Sequence, residues 1–136
     1  MAESNVEIVK RGFEPLSRGD VEALMPFIHP DFEMTTTTDI ASEPDTYRGH
    51  DGIRRYFDSF YEAMDEVRVE PLEFTAVGEL VVVPFLLHAR GRTTGIEATQ
   101  PGVGVWELRG DKATRLSFFA ELEDAMAFAR EREDEA

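Results

Sequence analysis

The sequence predicts an α+β fold in which helices gathered near the N-terminus pack against a curved antiparallel sheet, with a short helix closing the C-terminus. Three observations predict it. Apolar residues recur at helical spacing twice, at Val6, Val9, Phe13 and Leu16 and again at Ile53, Phe57, Phe60, Tyr61 and Met64. From Val67 the period changes to two, with strands expected at about 67–76, 79–92, 97–109 and 112–121. The turn signals VGE, RTTG and RGD separate them. Strands this close in sequence form an antiparallel meander, and helices collected on one side of such a sheet can leave a cavity between the layers.

Each element has local support. Ser4 and Glu7 make a capping-box pattern at the start of the first helix, Pro15 is expected to kink it, and Gly19 suits its C-terminal turn. Asp20 can cap a short second helix that ends before Pro30, and a first strand follows over 31–37. A polar loop with Asp39, Glu43, Pro44 and Asp45 leads to YRGHDG, where the third helix starts. The segment LEDAMAFARE, 122–131, reads as the closing helix, and REREDEA, Arg130 to Ala136, as a fraying, solvated end. No internal repeat or low-complexity segment divides the chain, so residues 1–136 are expected to form one domain.

Composition excludes several function classes. Fourteen basic against 28 acidic residues give a net charge of −14, which repels a phosphate backbone or an anionic membrane, so no nucleic acid and no membrane is expected as a partner. The absence of cysteine removes thiolate nucleophiles, zinc-thiolate clusters and disulfides. The longest apolar run, Leu80 to Leu87, is far short of the ~20 residues a membrane helix needs. The opening MAESNVEIVKR also lacks the apolar stretch of a signal peptide, and a cytoplasmic protein is expected. His29, His50 and His88 lie in different elements without the close spacing of metal motifs, so neither a metal nor a cofactor is expected.

Three stretches carry a resemblance: GFEPLSRGDVEALMPFIHPDFEM, YRGHDGIRRYFDSFYEAM and GVWELRGDKATRLSFFAELEDAMAF. Over nearly the whole chain the sequence resembles SnoaL-like members of the nuclear transport factor two-like superfamily. That resemblance implies a cone-shaped fold hosting isomerases, polyketide cyclases, epoxide hydrolases, dehydratases and non-catalytic binding modules, so it specifies fold better than function. Laid over the ketosteroid isomerases of that superfamily, the catalytic base falls at Thr36 and the protonated acid of the oxyanion hole at Gly104. The first-helix tyrosine falls at Gly12 and its supporting tyrosine at Phe57. None of these four residues can take up a proton near neutral pH, and no catalytic residue is assigned.

Strand alternation places Phe32, Met34 and Thr36 on one inner face, with Asp39 at the opposite parity. In the last strand Thr114, Leu116, Phe118 and Ala120 share the inner side. The resemblance implies that Phe85, Leu87 and Ala89 also face inward, leaving His88 and Arg90 as polar partners outside. Phe13, Phe27, Phe57, Phe60, Tyr61 and Trp106 complete a largely aromatic interior, part of it filled core. Gly102 and Gly104 argue for remaining space, and Thr36, Gln100 and Tyr61, with Arg48 or Tyr47, are polar candidates at its mouth.

Two function classes remain. One is a module binding a small apolar or aromatic molecule, with Phe13, Phe27, Met34, Thr36, Phe57 and Tyr61 lining its pocket beside Phe85, Gln100, Gly104, Trp106, Leu116 and Phe118. The other is a polyketide cyclase- or isomerase-like enzyme using an unrecognised acid or base. Binding is favoured, because proton transfer needs a titratable group near its proton and the sequence places none securely inside. Finally, Leu80 to Leu87 is apolar on both faces where one face would suffice. A homodimer through the outer sheet surface near Val82, Pro84 and Leu86 is therefore expected.

Overall fold

A computed structural model describes residues 4–18, 20–35 and 46–135; the side chains at 18, 46, 59–61, 63 and 135 lie outside what it describes. Helices α1 (Asn5–Arg18) and α2 (Val21–Leu24) and a 3₁₀ turn (Met25–Phe27) precede strands β1 (Ile28–Thr35) and β2 (Thr46–Arg48). Helix α3 (Gly49–Ala63) follows. Then come β3 (Met64–Pro71), β4 (Thr75–Val77), β5 (Leu80–Gly91), β6 (Glu97–Arg109), β7 (Lys112–Phe119) and α4 (Leu122–Glu135).

The expected α+β architecture is present: a curved, unclosed sheet of seven strands with N-terminal helices and a C-terminal helix. Its order is β2-β1-β7-β6-β5-β3, with β4 also on β5. The sheet is mixed, because β1 lies parallel to β7 while the other pairs are antiparallel. Local periodicity cannot show this pairing, since it joins strands at opposite ends of the chain.

The helix caps behave as their sequences predict. The Glu7 amide donates to Ser4 Oγ at 3.3 Å, and the Ala23 amide to Asp20 Oδ1 at 3.1 Å. α1 runs through Pro15 to Arg18, and the Asp20 amide reaches back to Pro15 O at 2.9 Å to close its end. Proline removes one amide bond close to the helix terminus, where few remain to be lost.

Several boundaries differ from expectation. β1 starts at Ile28 rather than 31, and its pairing with β7 shifts register between Ile28 and Glu33, so Pro30 occupies an irregularity that needs no amide donor. Met64 opens β3 instead of ending α3. The strand expected over 67–76 is two pieces, and the break at 72–74 has a cause on its neighbour. Pro84 of β5 has no N–H to give, and only its carbonyl is used, accepting from Leu72 at 2.8 Å. The tail is also helical: α4 extends to Glu135, and Arg132 is tied to Glu107 at 2.7 Å instead of fraying.

The two faces of the sheet carry separate cores. Val81, Val83, Trp106, Leu116, Phe32 and Met34 pack with Val9 and Phe13 of α1 and Ile53 of α3. On the other face Val82, Val103 and Val105 pack with Ala125 and Ala129 of α4. This answers why β5 is apolar on both sides: small alanines let α4 lie close on a surface the sequence reading left for a second chain. Among the described residues, no helix is long and apolar enough to cross a membrane.

Candidate functional site

The inner wall is built in rows across the strands. Met34, Leu116, Trp106 and Val81 are successive partners from β1 to β5 and all are buried. The next row is Phe118, Gly104 and Val83, and the one after it Gly102, Phe85 and Pro71. Beyond these stand Gln100, Leu87 and Val69, then Ala98 and Ala89. Exposure rises along this series: Gln100 and Ala98 are exposed and Leu87 and Ala89 half-buried, so the wall opens toward the end of β5.

Aromatic rings fill the closed end. Phe13 meets Trp106 with ring centroids 5.7 Å apart, and Phe74 at 5.6 Å on its other side. Phe27 leans on Trp106 at 5.5 Å, and Phe85 stands edge-on to Phe118 at 5.9 Å. Two glycines exist for these rings. A Cβ on Gly12 would lie 2.7 Å from Phe27 Cδ1, and one on Gly102 would lie 2.7 Å from Phe85 Cζ. The space expected over Gly102 is thus occupied by Phe85.

Gly104 differs. A Cβ there would stand 3.2 Å from Leu116 Cδ1, 3.5 Å from Trp106 Nε1 and 4.0 Å from Phe118 Cε1, so a methyl-sized group fits with slight adjustment. Trp106 is 2% exposed, yet its Nε1 has no hydrogen-bond partner among the described residues. Leaving a buried donor unpaired costs about 1–3 kcal/mol.

Groups able to transfer protons lie elsewhere. Ser117 is the one polar or charged residue buried among those described, and it pairs with Val105 on the α4 side of the sheet. His88, on that same outer face, meets Glu70 Oε1 at 2.9 Å and Thr99 Oγ1 at 3.1 Å, and Arg90 clasps Asp65 at 3.0 and 3.2 Å. His29 Nδ1 accepts from the Asp31 amide, and His50 Nε2 lies 2.8 Å from Ile28 O. No group of three potential metal ligands comes together among the described residues.

Two tyrosines border the interior. Tyr56 packs on Tyr47 at 5.1 Å and on Phe57 at 5.3 Å. Burial pushes the Tyr56 phenol up, and the neighbouring Tyr47 adds to the effect, so it stays protonated at neutral pH.

Of the residues singled out from sequence, Phe13, Phe27, Met34, Trp106 and Leu116 come together at the closed end, and Phe85, Gly104 and Phe118 form the next layer. Phe57 packs from α3, and Gln100 sits alone at the open end. Thr36 and Asp39, with the side chains of Phe60 and Tyr61, lie outside the described residues. Sequence reasoning missed Tyr56 and Phe74. Tyr56 stands three residues after Ile53 on the same helical face, a signal that was available, whereas Phe74 falls in the break of the strand expected over 67–76, where parity with Val69 turns it away from the inner core that it joins.

Comparison with known proteins now decides the family. The family model for the SnoaL-like domain matches residues 9–116. The chain belongs to the SnoaL-like family. Among curated proteins no sequence matches this SnoaL-like chain. Solved structures do. An NTF2-like protein of unknown function from Burkholderia pseudomallei is 22% identical with a TM-score of 0.76, over 92% of this chain and 96% of its own. TerC, co-crystallised with polyporic acid, is 24% identical with a TM-score of 0.75, over 92% and 97%. SalBIII, an epoxide hydrolase/cyclase-like enzyme of pyran ring formation in the polyether salinomycin, is 22% identical with a TM-score of 0.72, over 88% and 92%. At such identities the likeness establishes that the SnoaL-like chain shares their fold, and nothing of its chemistry.

Proposed function

We propose that this SnoaL-like protein binds a small apolar or aromatic molecule against the inner face of its sheet. One observation carries the reading: the inner rows from Trp106 to Phe85 are apolar, while the single buried polar residue among those described, Ser117, faces the other way. An enzyme moving protons needs a base or acid within hydrogen-bond reach of its substrate, and such groups contribute ~10²- to 10⁴-fold each. A binding module needs shape, apolar area and a few polar contacts. That TerC was crystallised with polyporic acid supports the idea that this fold can receive an organic molecule.

Thermal unfolding tests the reading. A ligand that binds only the folded state raises the midpoint with concentration. Naphthalene, tetralin, 1-tetralone and indole are suitable probes, and at least one should raise it in a saturable manner. A midpoint unmoved by all four contradicts the proposal.

We infer in addition that the protein is a homodimer, with the patch narrower than the sequence suggested. Val82 is covered by α4, whereas Leu86 and its partner Pro101 lie beyond that helix, half-buried and exposed respectively. Pro84 stands half-buried beside them. A second copy laid on Pro84, Leu86 and Pro101 would cover this remainder.

A further inference from the structure

The geometry points to a second site, on the outer face: we propose that Thr99 is a nucleophile, activated by His88 and Glu70, that takes a small acyl group from neutral activated esters and passes it to water. This goes beyond the binding reading and does not depend on it, since the inner wall contributes nothing to the site.

Three side chains from three strands meet there. His88 of β5 lies 2.9 Å through Nε2 from Glu70 Oε1 of β3, and 3.1 Å through Nδ1 from Thr99 Oγ1 of β6. A carboxylate only accepts, so the ring carries its proton on Nε2 and leaves Nδ1 as the acceptor facing the threonine hydroxyl. A hydroxyl, a base and an orienting acid in this order form the arrangement that activates a weak nucleophile. Thr99 is exposed, so an ester can reach the hydroxyl from solvent.

The backbone supplies a fourth group. Pro84 O accepts from the Leu72 amide, just past the end of β3, so residue 84 turns away from β6 and its pair with Val103 is of the non-hydrogen-bonded kind. Pairs alternate along an antiparallel ladder, and the register runs unbroken from Val81 to Arg90, so His88 and Thr99 form a pair of the same kind. The Thr99 N–H therefore points away from β5. Because β7 pairs with β6 only from Val103 onward, that amide meets no strand among the described residues. Pro101 agrees: at the same parity, its missing N–H costs the β5 ladder nothing. An acyl group on Oγ1 can fold its carbonyl oxygen back onto the Thr99 amide, a donor for the charge that develops on attack. The net charge of −14 disfavours polyanionic acyl carriers and leaves neutral esters.

In the first step Oγ1 attacks the ester carbonyl while its proton passes to His88 Nδ1. The carbon–oxygen bond to the leaving group breaks, and the leaving group departs with that proton. Water then attacks the threonyl ester, giving a proton to Nδ1, and Oγ1 recovers it as the carboxylic acid is released.

Para-nitrophenyl acetate tests the proposal. After incubation with the unmodified protein at neutral pH and an acid stop, peptide mass spectrometry should find one acetyl group on Thr99. Thr99→Val should remove that adduct and Thr99→Ser should restore it, both at a solvent-facing position where the fold tolerates exchange. His88→Gln should slow acetylation ~10²-fold or more, which loss of a merely structural hydrogen bond would not do. Glu70 acts through His88 as a positioning residue, and Glu70→Gln should slow the same step while circular dichroism stays unchanged. Acetyl groups found only on residues other than Thr99, no acetylation at all, or acetylation of Thr99 indifferent to His88→Gln would each overturn the assignment.

Discussion

The tip of the Phe85 ring sits over Gly102, its Cζ 2.7 Å from the place a Cβ would occupy, where the two residues pair across β5 and β6. Glycine here makes room for a neighbour and leaves no void. Gly102→Ala should therefore force Phe85 out of its position and cost about 1–3 kcal/mol, as overpacked cores do. Urea unfolding of the variant measures it, and Gly104→Ala, with 3.2 Å to its nearest neighbour, should cost clearly less. Equal losses would mean that the two inner glycines are alike.

α4 holds the outer face through Ala125 and Ala129, both fully buried. Ala129→Asp places an unpaired carboxylate among Val82, Val103 and Val105 and should destabilise by about 3 kcal/mol or more. Hydrogen exchange should then show α4 amides losing protection before those of β5. Uniform protection in the variant would deny that α4 is the cover of this face.

A row of alternating charges crosses the same face: Arg48 with Glu33 at 3.1 Å, Glu33 with Arg115 at 3.5 Å, Arg115 with Glu107 at 3.8 Å, and Glu107 with Arg132 at 2.7 Å. The last link fastens α4 to β6 and has the least exposed carboxylate. A double-mutant cycle of Glu107→Gln and Arg132→Gln should return a coupling of about 1 kcal/mol, smaller in high salt. Zero coupling would reduce the row to surface decoration.

The Arg90 guanidinium holds the Asp65 carboxyl below its ordinary range, chiefly through their hydrogen bonds. A depressed folded-state value stabilises the fold above the unfolded pKa, and that contribution is lost as pH falls through the folded one. Acidification also relieves the repulsion among 28 acidic side chains, which acts the other way. The difference in stability between the unmodified protein and Asp65→Asn isolates the pair: it should be largest near neutral pH and shrink below the usual carboxylate range. A difference independent of pH would show that the pair is not linked to folding.

Sedimentation at micromolar concentration bears on assembly. The unmodified chain should run as a dimer and Leu86→Glu as a folded monomer. A monomeric unmodified protein removes the inference.

Much of this architecture is legible in the sequence because it is written locally. Ser4 and Asp20 announce helix starts by side-chain chemistry, and alternation assigns Val103 to Trp106 and Leu116 to Phe119 to their faces. It fails at Ala113, which lies in the inner core beyond the irregularity between Glu107 and Leu108 although parity with Thr114 and Leu116 puts it outside. What stays hidden depends on residues far apart in the chain. The parallel pairing of Met34 with Leu116, the seating of Phe85 on Gly102 and the tie from Arg132 to Glu107 each join elements whose spacing carries no period. For the site, parity finds Trp106 and Gly104 on the inner face. The unpaired Nε1 appears only when the surrounding rings are in place.

The central claim is that the inner face around Trp106 receives a small apolar molecule, and the emission of this lone tryptophan reports on it directly. Titration with 1-tetralone should change Trp106 fluorescence along a saturable curve, and Gly104→Leu, which adds a bulky side chain to the inner row of Phe118 and Val83 without adding a second tryptophan, should weaken that saturation while the protein remains folded. Emission that changes only linearly with probe, as it would by collisional quenching, or saturation indifferent to Gly104→Leu, would contradict the account.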